Sequence, residues 1–203
     1  MKDLPQNQDL DLIFVIDKSG SMWGSEKDTM GGFNAFIEKE KNKEFNTKVT
    51  TILFNDEYEV LYERKAIEDV GELTSKEYYV GGSTALLDAI GRTITSLNSK
   101  IENKVLFVVM TDGMENSSIE YSKNQIKNMI SSHSWEFIFI GADIDSYGEA
   151  GSIGFKKSRI ANYEKSNAGI NDAYYSVACA ADSMRKNMDL DDANWDAELR
   201  KYD

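Results

Sequence analysis

Near the start of the chain, the stretch DLIFVIDKSGSM sets out oxygen-bearing side chains in a pattern that can do chemistry. The apolar run Leu12 to Ile16 ends in Asp17, and Ser19 and Ser21 follow at alternate positions with Gly20 between them. Alternate residues of an extended segment point the same way, so a carboxylate and two hydroxyls can converge on one point. Gly20 has no Cβ and lets the backbone pass close to whatever sits there. Two more segments carry the same kind of side chain. Gly81-Gly82-Ser83-Thr84 precedes a stretch of helical periodicity, and Thr111-Asp112-Gly113 ends another apolar run. None of the three contains Cys or His. An all-oxygen set suits a hard cation, Mg²⁺ first with Mn²⁺ or Ca²⁺ as alternatives, and is wrong for structural Zn²⁺. Hydroxyls are neutral ligands, so a cation held by them keeps positive charge that can attract a further anion. Taken alone, Asp-x-Ser-x-Ser also reads as a turn and helix cap. Three such segments at consistent places in one fold favour the ligand reading.

The elements that position these segments follow from periodicity. Leu10 to Asp17 and Lys104 to Thr111 are continuous apolar runs, the pattern of strands buried on both faces. Trp135 to Gly141 is a third, and Lys48 to Asn55 is rich in β-branched residues. Asn55-Asp56-Glu57 can turn the chain into an antiparallel partner, Tyr58 to Tyr62. Arg64 to Val80 is polar and reads as a long surface connection. Helices are expected over Glu26 to Lys43 and along Leu87, Ile90, Ile94 and Leu97. Another is expected along Ile119, Ile126, Met129 and Ile130, and a short one over Ser146 to Ile153. A short strand is expected near Ser158. The last helix runs along Ile170, Tyr174, Val177, Ala181, Met184 and Met188, which step by three and four. Strands alternating with helices imply a doubly wound α/β fold, mostly parallel, with one antiparallel hairpin strand. In such sheets ligands bind beyond the carboxyl ends of the strands, where the strand order reverses. All three oxygen-rich segments leave strands or enter helices at that edge.

With these residues in place, the sequence resembles the von Willebrand factor type A domains that carry a metal-ion-dependent adhesion site. The resemblance runs from about Leu10 to Met188. IDKSGSM is its most specific part, and FNAFIEKEK and STALLDAIG are closest to stand-alone bacterial and phage members. It implies a metal set of Asp17, Ser19, Ser21, Thr84 and Asp112, with hydroxyls of Ser19, Ser21 and Thr84 on the metal and the two acids bound directly or through water. It also implies a protein partner whose Asp or Glu completes the coordination. The loop reads Gly-Gly-Ser-Thr where Gly-Gly-Thr is common in the family, so Ser83 competes with Thr84. Thr84 is preferred because TALLDAI then keeps its phase into the helix. Asp88, one turn on, reads either as an acceptor behind the metal set or as an ordinary first-turn acid favoured by the helix dipole.

Composition narrows the rest. The chain has 203 residues and a formal net charge of −12. Residues 1–188 are read as one domain, and residues 189–203 as an acidic tail that could be partly disordered. The negative charge gives little electrostatic support to nucleic-acid or anionic-membrane binding. No stretch reaches the ~20 apolar residues of a membrane span. The start, MKDLPQNQDLD, is polar and lacks a signal-peptide core. The single cysteine, Cys179, allows no intrachain disulfide, is read as a small core residue, and fits a reducing, cytoplasmic setting. Asp143-Ile-Asp145 opens like an EF-hand loop, but Tyr147 and Gly154 break that pattern, leaving the two acids as candidates for the rim. His133 reads as a surface residue at a helix end. Trp23 is either a partner contact or folded back on the core. The reading is therefore a metal-dependent protein-binding module rather than an enzyme. The alternative is a Mg²⁺-dependent phosphoryl-transfer or phosphatase-like enzyme using the same acids.

Overall fold

The computed structural model describes residues 8–203. The polar stretch up to residue 7, read above as free of a leader, lies outside the described residues. The chain forms β1 (Leu10–Asp17), α1 (Glu26–Lys41), β2 (Thr47–Phe54), β3 (Tyr58–Ala66), α2 (Leu86–Leu97), β4 (Lys104–Thr111), α3 (Lys123–Ser132), β5 (Glu136–Gly141), α4 (Ser146–Ser152), β6 (Ile160–Asn162) and α5 (Asn167–Arg185). The six strands make one sheet in the order β3-β2-β1-β4-β5-β6. Every pairing is parallel except β2 with β3. The fold is the mostly parallel, doubly wound α/β architecture that the periodicity implies.

Side chains alternate across the sheet as strand geometry requires. Leu10, Leu12, Phe14 and Ile16 enter the core under α1 and α5, whereas Ile13 and Val15 enter the one under α2, α3 and α4. On the first side Phe14 meets Phe33 at 5.6 Å and Phe36 at 5.3 Å between ring centroids, both edge to face. β1 lies between β2 and β4, so its C-terminal end, at Asp17, is where the chain changes direction across the sheet. That crevice is the general ligand position of open α/β sheets.

Four expectations need correction. Arg64 to Val80 is not a plain surface connection: β3 runs on to Ala66, and Ile67, Val70, Leu73 and Tyr78 are buried. These apolar residues are spread among charges, which hides them from a periodicity reading. Ile119 is not on a helix face. It is 91% exposed, and α3 begins only after Ser122, whose side chain and that of Gln125 form a capping box. Met188 lies beyond the end of α5 and is exposed. Cys179 is partly exposed on α5 rather than a core residue. The residues after α5 pack on the domain: Leu190, Trp195 and Leu199 are buried, and the Trp195 indole N–H donates to the Ser158 carbonyl at 3.0 Å. Arg159, itself buried, pairs there with Glu136, Asp189 and Asp191. His133 closes the end of α3, with one ring nitrogen 2.6 Å from the Met129 carbonyl.

Candidate metal centre

Asp17 is the last residue of β1 and is fully buried. One carboxylate oxygen accepts from the Ser19 backbone N–H at 2.6 Å, and the other accepts from the Thr111 hydroxyl at 2.5 Å. The Tyr78 hydroxyl donates to the Asp17 carbonyl at 2.6 Å. Burial pushes the Asp17 carboxyl up from 3.8 to about 6, against the hydrogen bonds from Thr111 and Ser19 and with a further upward push from Asp112. Ser19 is extended and Ser21 sits in a short 3-10 turn over Gly20–Met22, with their hydroxyl oxygens 3.0 Å apart.

The second segment is stitched to the first. Gly20 N–H donates to the Gly82 carbonyl at 3.1 Å, and Gly81 N–H to the Lys18 carbonyl at 2.9 Å. Gly82 has φ +78°, and a Cβ there would lie 1.9 Å from Asp56 Oδ1, so only glycine fits. Ser83 and Thr84 are placed differently by the turn that follows. Ser83 is exposed, with its N–H facing Asp56, while Thr84 is buried. Asn116 clamps Thr84 on both sides, accepting from its N–H at 2.9 Å and donating its own N–H to the Thr84 carbonyl at 3.0 Å.

The third segment brings the set together. A Cβ built on Gly113 would lie 2.7 Å from Thr84 Oγ1, 3.0 Å from Ser21 Oγ and 3.3 Å from Asp17 Oδ2. Three oxygens from the first two segments therefore surround one small space, and the missing side chain of Gly113, on the third, keeps it open. Asp112 stands beside it. Both its carboxylate oxygens are buried and neither receives a directed hydrogen bond. The Lys165 ammonium, from the connection between β6 and α5, lies 2.6 Å from Asp112 Oδ2 as an ion pair. Oδ1 faces no donor and Oδ2 only the lysine, so this buried carboxylate is under-compensated, and a divalent cation is a partner it suits. Among the described residues no group of three or more His, Cys, Asp or Glu side chains could hold a metal ion. A cation here would therefore depend on hydroxyls as well as acids, which is the donor chemistry of Asp17, Ser19, Ser21, Thr84 and Asp112.

Other residues singled out in the sequence have different places. Asp88 faces away from this space: its carboxylate accepts from the backbone N–H groups of Ile119, Glu120 and Tyr121, each at 2.9 Å. It pins the loop that follows Asp112, neither standing behind the metal set nor serving as a plain first-turn acid. Asp145 caps α4 by accepting from Gly148 N–H. Asp143 sits exposed in the turn before α4, with φ +55°. Trp23 is 76% exposed and so does not fold back on the core. Lys18 was not foreseen as structural. Its side chain is buried, pairs with Glu59 at 2.9 Å and lies under the Tyr79 ring. Tyr78, Asn116 and Lys165 also escaped the sequence reading, and Thr111 was marked only as part of its segment, not as the brace of Asp17. Each acts through a contact between distant segments, so no local pattern marks them.

The von Willebrand factor type A domain profile matches residues 11–175. No curated protein matches the chain. Among solved structures, the chain is similar to proximal thread matrix protein 1 from the mussel byssus, in a structure described as having a zinc-occupied MIDAS motif. That likeness has 16% identity and a TM-score of 0.63 over 83% of this chain and 44% of the other. This chain thus spans less than half of the byssus protein. It is similar to the vWF domain of the pilus tip protein Mfa5 from Porphyromonas gingivalis, with 10% identity and a TM-score of 0.65 over 89% of this chain and 96% of the other. It is also similar to manganese-loaded TRAP protein from Plasmodium vivax, with 18% identity and a TM-score of 0.57 over 78% and 70% of the two chains. At these identities the likeness concerns the fold. The profile match covers most of the chain, and its span takes in all three oxygen-bearing segments. The chain belongs to the von Willebrand factor type A domain family.

Proposed function

We propose that this domain is a metal-dependent protein-binding module, in which Asp17, Ser19, Ser21, Thr84 and Asp112 hold a divalent cation that receives an Asp or Glu of a partner. The observation that carries the reading is the space beside Gly113, ringed by Thr84, Ser21 and Asp17 oxygens, with the buried, hydrogen-bond-poor Asp112 next to it. Mg²⁺ is the expected ion, with Mn²⁺ or Ca²⁺ as alternatives. The zinc- and manganese-containing structures among the neighbours support a divalent ion in this family. When bound, the cation supplies an electrophilic centre for an anionic side chain.

The chain's own residues do the rest. Thr111 and Tyr78 fix Asp17, Asn116 fixes Thr84, and the Gly20–Gly82 contact holds the first two loops in register. Trp23, Tyr79 and Met114 are exposed on the same loops. A partner whose acid is set among apolar residues would cover them, which supports Trp23 as a partner contact. No helix among the described residues is long and apolar enough to cross a membrane. The lone cysteine supports a cytoplasmic setting, which we retain as part of this reading.

The test is an affinity capture of partners with the full chain, in Mg²⁺ and in chelator, alongside Asp17→Ala and Ser21→Ala. Capture should need the metal and both side chains, and should end when one acid of the partner is neutralised. A partner held equally well in chelator and by Asp17→Ala would place recognition elsewhere on the domain. Metal-dependent release of phosphate from a simple phosphomonoester, lost in Asp17→Ala, would favour the enzyme alternative instead.

A further inference from the structure

We propose that Lys165 is a tethered counter-ion that competes with the divalent cation for Asp112 and so sets the affinity of the site for metal. The inference rests on the metal-site reading above and concerns a residue outside the assigned ligands. Lys165 lies in the connection between β6 and α5, and its side chain is largely buried. Its ammonium stands 2.6 Å from Asp112 Oδ2 and also donates to the Ser21 backbone carbonyl. It thus bridges the first and third oxygen-bearing segments, one of which carries a ligand hydroxyl and the other a ligand acid.

Two physical consequences follow. First, the ammonium compensates a carboxylate whose oxygens are buried and otherwise lack donors, so it holds the two loops together without a metal. Second, a divalent ion that takes Asp112, directly or through water, must share a few ångströms with a unit positive charge. At such a distance in a partly dry site the repulsion is strong, so the lysine must swing away. The side chain is long and keeps 24% of its surface exposed, which gives it a way towards solvent. Metal affinity is then the intrinsic affinity of the oxygen set reduced by the strength of the lysine's grip.

The test is calorimetric titration of the full chain with Mn²⁺ and with Mg²⁺, comparing wild type, Lys165→Met, Lys165→Arg and Asp17→Ala. Lys165→Met should bind metal about tenfold more tightly, the worth of one charge-assisted hydrogen bond, while melting at a lower temperature in chelator. A merely structural role would lower both. Lys165→Arg, which keeps the charge, should stay near wild type. The tenfold gain should survive in 0.5 M NaCl, because a contact pair is screened far less than a long-range field. Wild type binding metal with Lys165→Met no tighter, or a gain that vanishes in high salt, overturns the competition and leaves the metal site standing. No binding by wild type or by Lys165→Met overturns the metal-site reading and this proposal with it.

Discussion

Replacing Asp17 by Asn should make the metal-free protein more stable while ending its response to metal. Asp17 is fully buried at the end of β1, and burial raises its carboxyl from 3.8 to about 6. The folded state therefore binds this proton more tightly than the unfolded chain does. Between those two values, wild-type stability falls as pH rises, and above about 6 the full cost of a buried charge is present. A shift of roughly two pH units at about 1.4 kcal/mol per unit corresponds to a cost of about 3 kcal/mol at pH 7.5. Asn keeps the geometry: its carbonyl oxygen can accept from Ser19 N–H, and its amide can donate to the Thr111 hydroxyl. Thr111 can in turn aim its own hydrogen at the Gly113 carbonyl, 3.0 Å away. Urea unfolding in chelator should therefore show Asp17→Asn more stable than wild type by up to about 3 kcal/mol at pH 7.5. The gap should narrow steadily as the pH is lowered towards 4. Adding Mg²⁺ or Mn²⁺ should then stabilise wild type and leave Asp17→Asn unchanged. A variant less stable than wild type, or a gap that does not change with pH, would show that the carboxylate is no burden to the fold. Retention of the carboxylate for a cation would then have no energetic basis.

Four further outcomes are expected. Gly113→Ala should fold normally yet lose the metal-induced rise in melting temperature, since its Cβ would sit 2.7 Å from Thr84 Oγ1 and 3.0 Å from Ser21 Oγ; retained metal binding would remove Gly113 from the site. Asp88→Ala frees three backbone donors of the loop at Ile119–Tyr121, and should cost about 2–4 kcal/mol by chemical unfolding with faster amide exchange in that loop. Leu106→Ala, in the centre of β4 and wholly buried, should cost about 2–5 kcal/mol with no effect on metal affinity. Trp195→Ala should cost about 3–5 kcal/mol if the segment after α5 is part of the folded unit; an unchanged unfolding curve would make that segment an accessory.

The sequence by itself determined the architecture and the oxygen-rich character of the candidate site. Continuous apolar runs at Leu10 to Asp17 and Lys104 to Thr111 can only be satisfied inside a sheet covered on both faces, and strand-helix alternation makes that sheet parallel. Asp17, Ser19 and Ser21 announce oxygen chemistry because their spacing of two is a local property of the backbone. Tertiary structure alone decided how the site is held. Thr111 braces Asp17 across 94 residues of sequence, and Lys165 reaches Ser21 across 144. The preference for Thr84 over Ser83 could be argued from helix phase, but it takes Asn116, on a different loop, to turn Thr84 inward and clamp it there. Asp88 shows the limit most clearly. Its position in the first turn of α2 is legible, but its three partners lie on a loop some thirty residues away. Periodicity reports which way a residue faces relative to its neighbours in the chain. Which distant backbone groups wait there depends on how the loops close over the sheet edge.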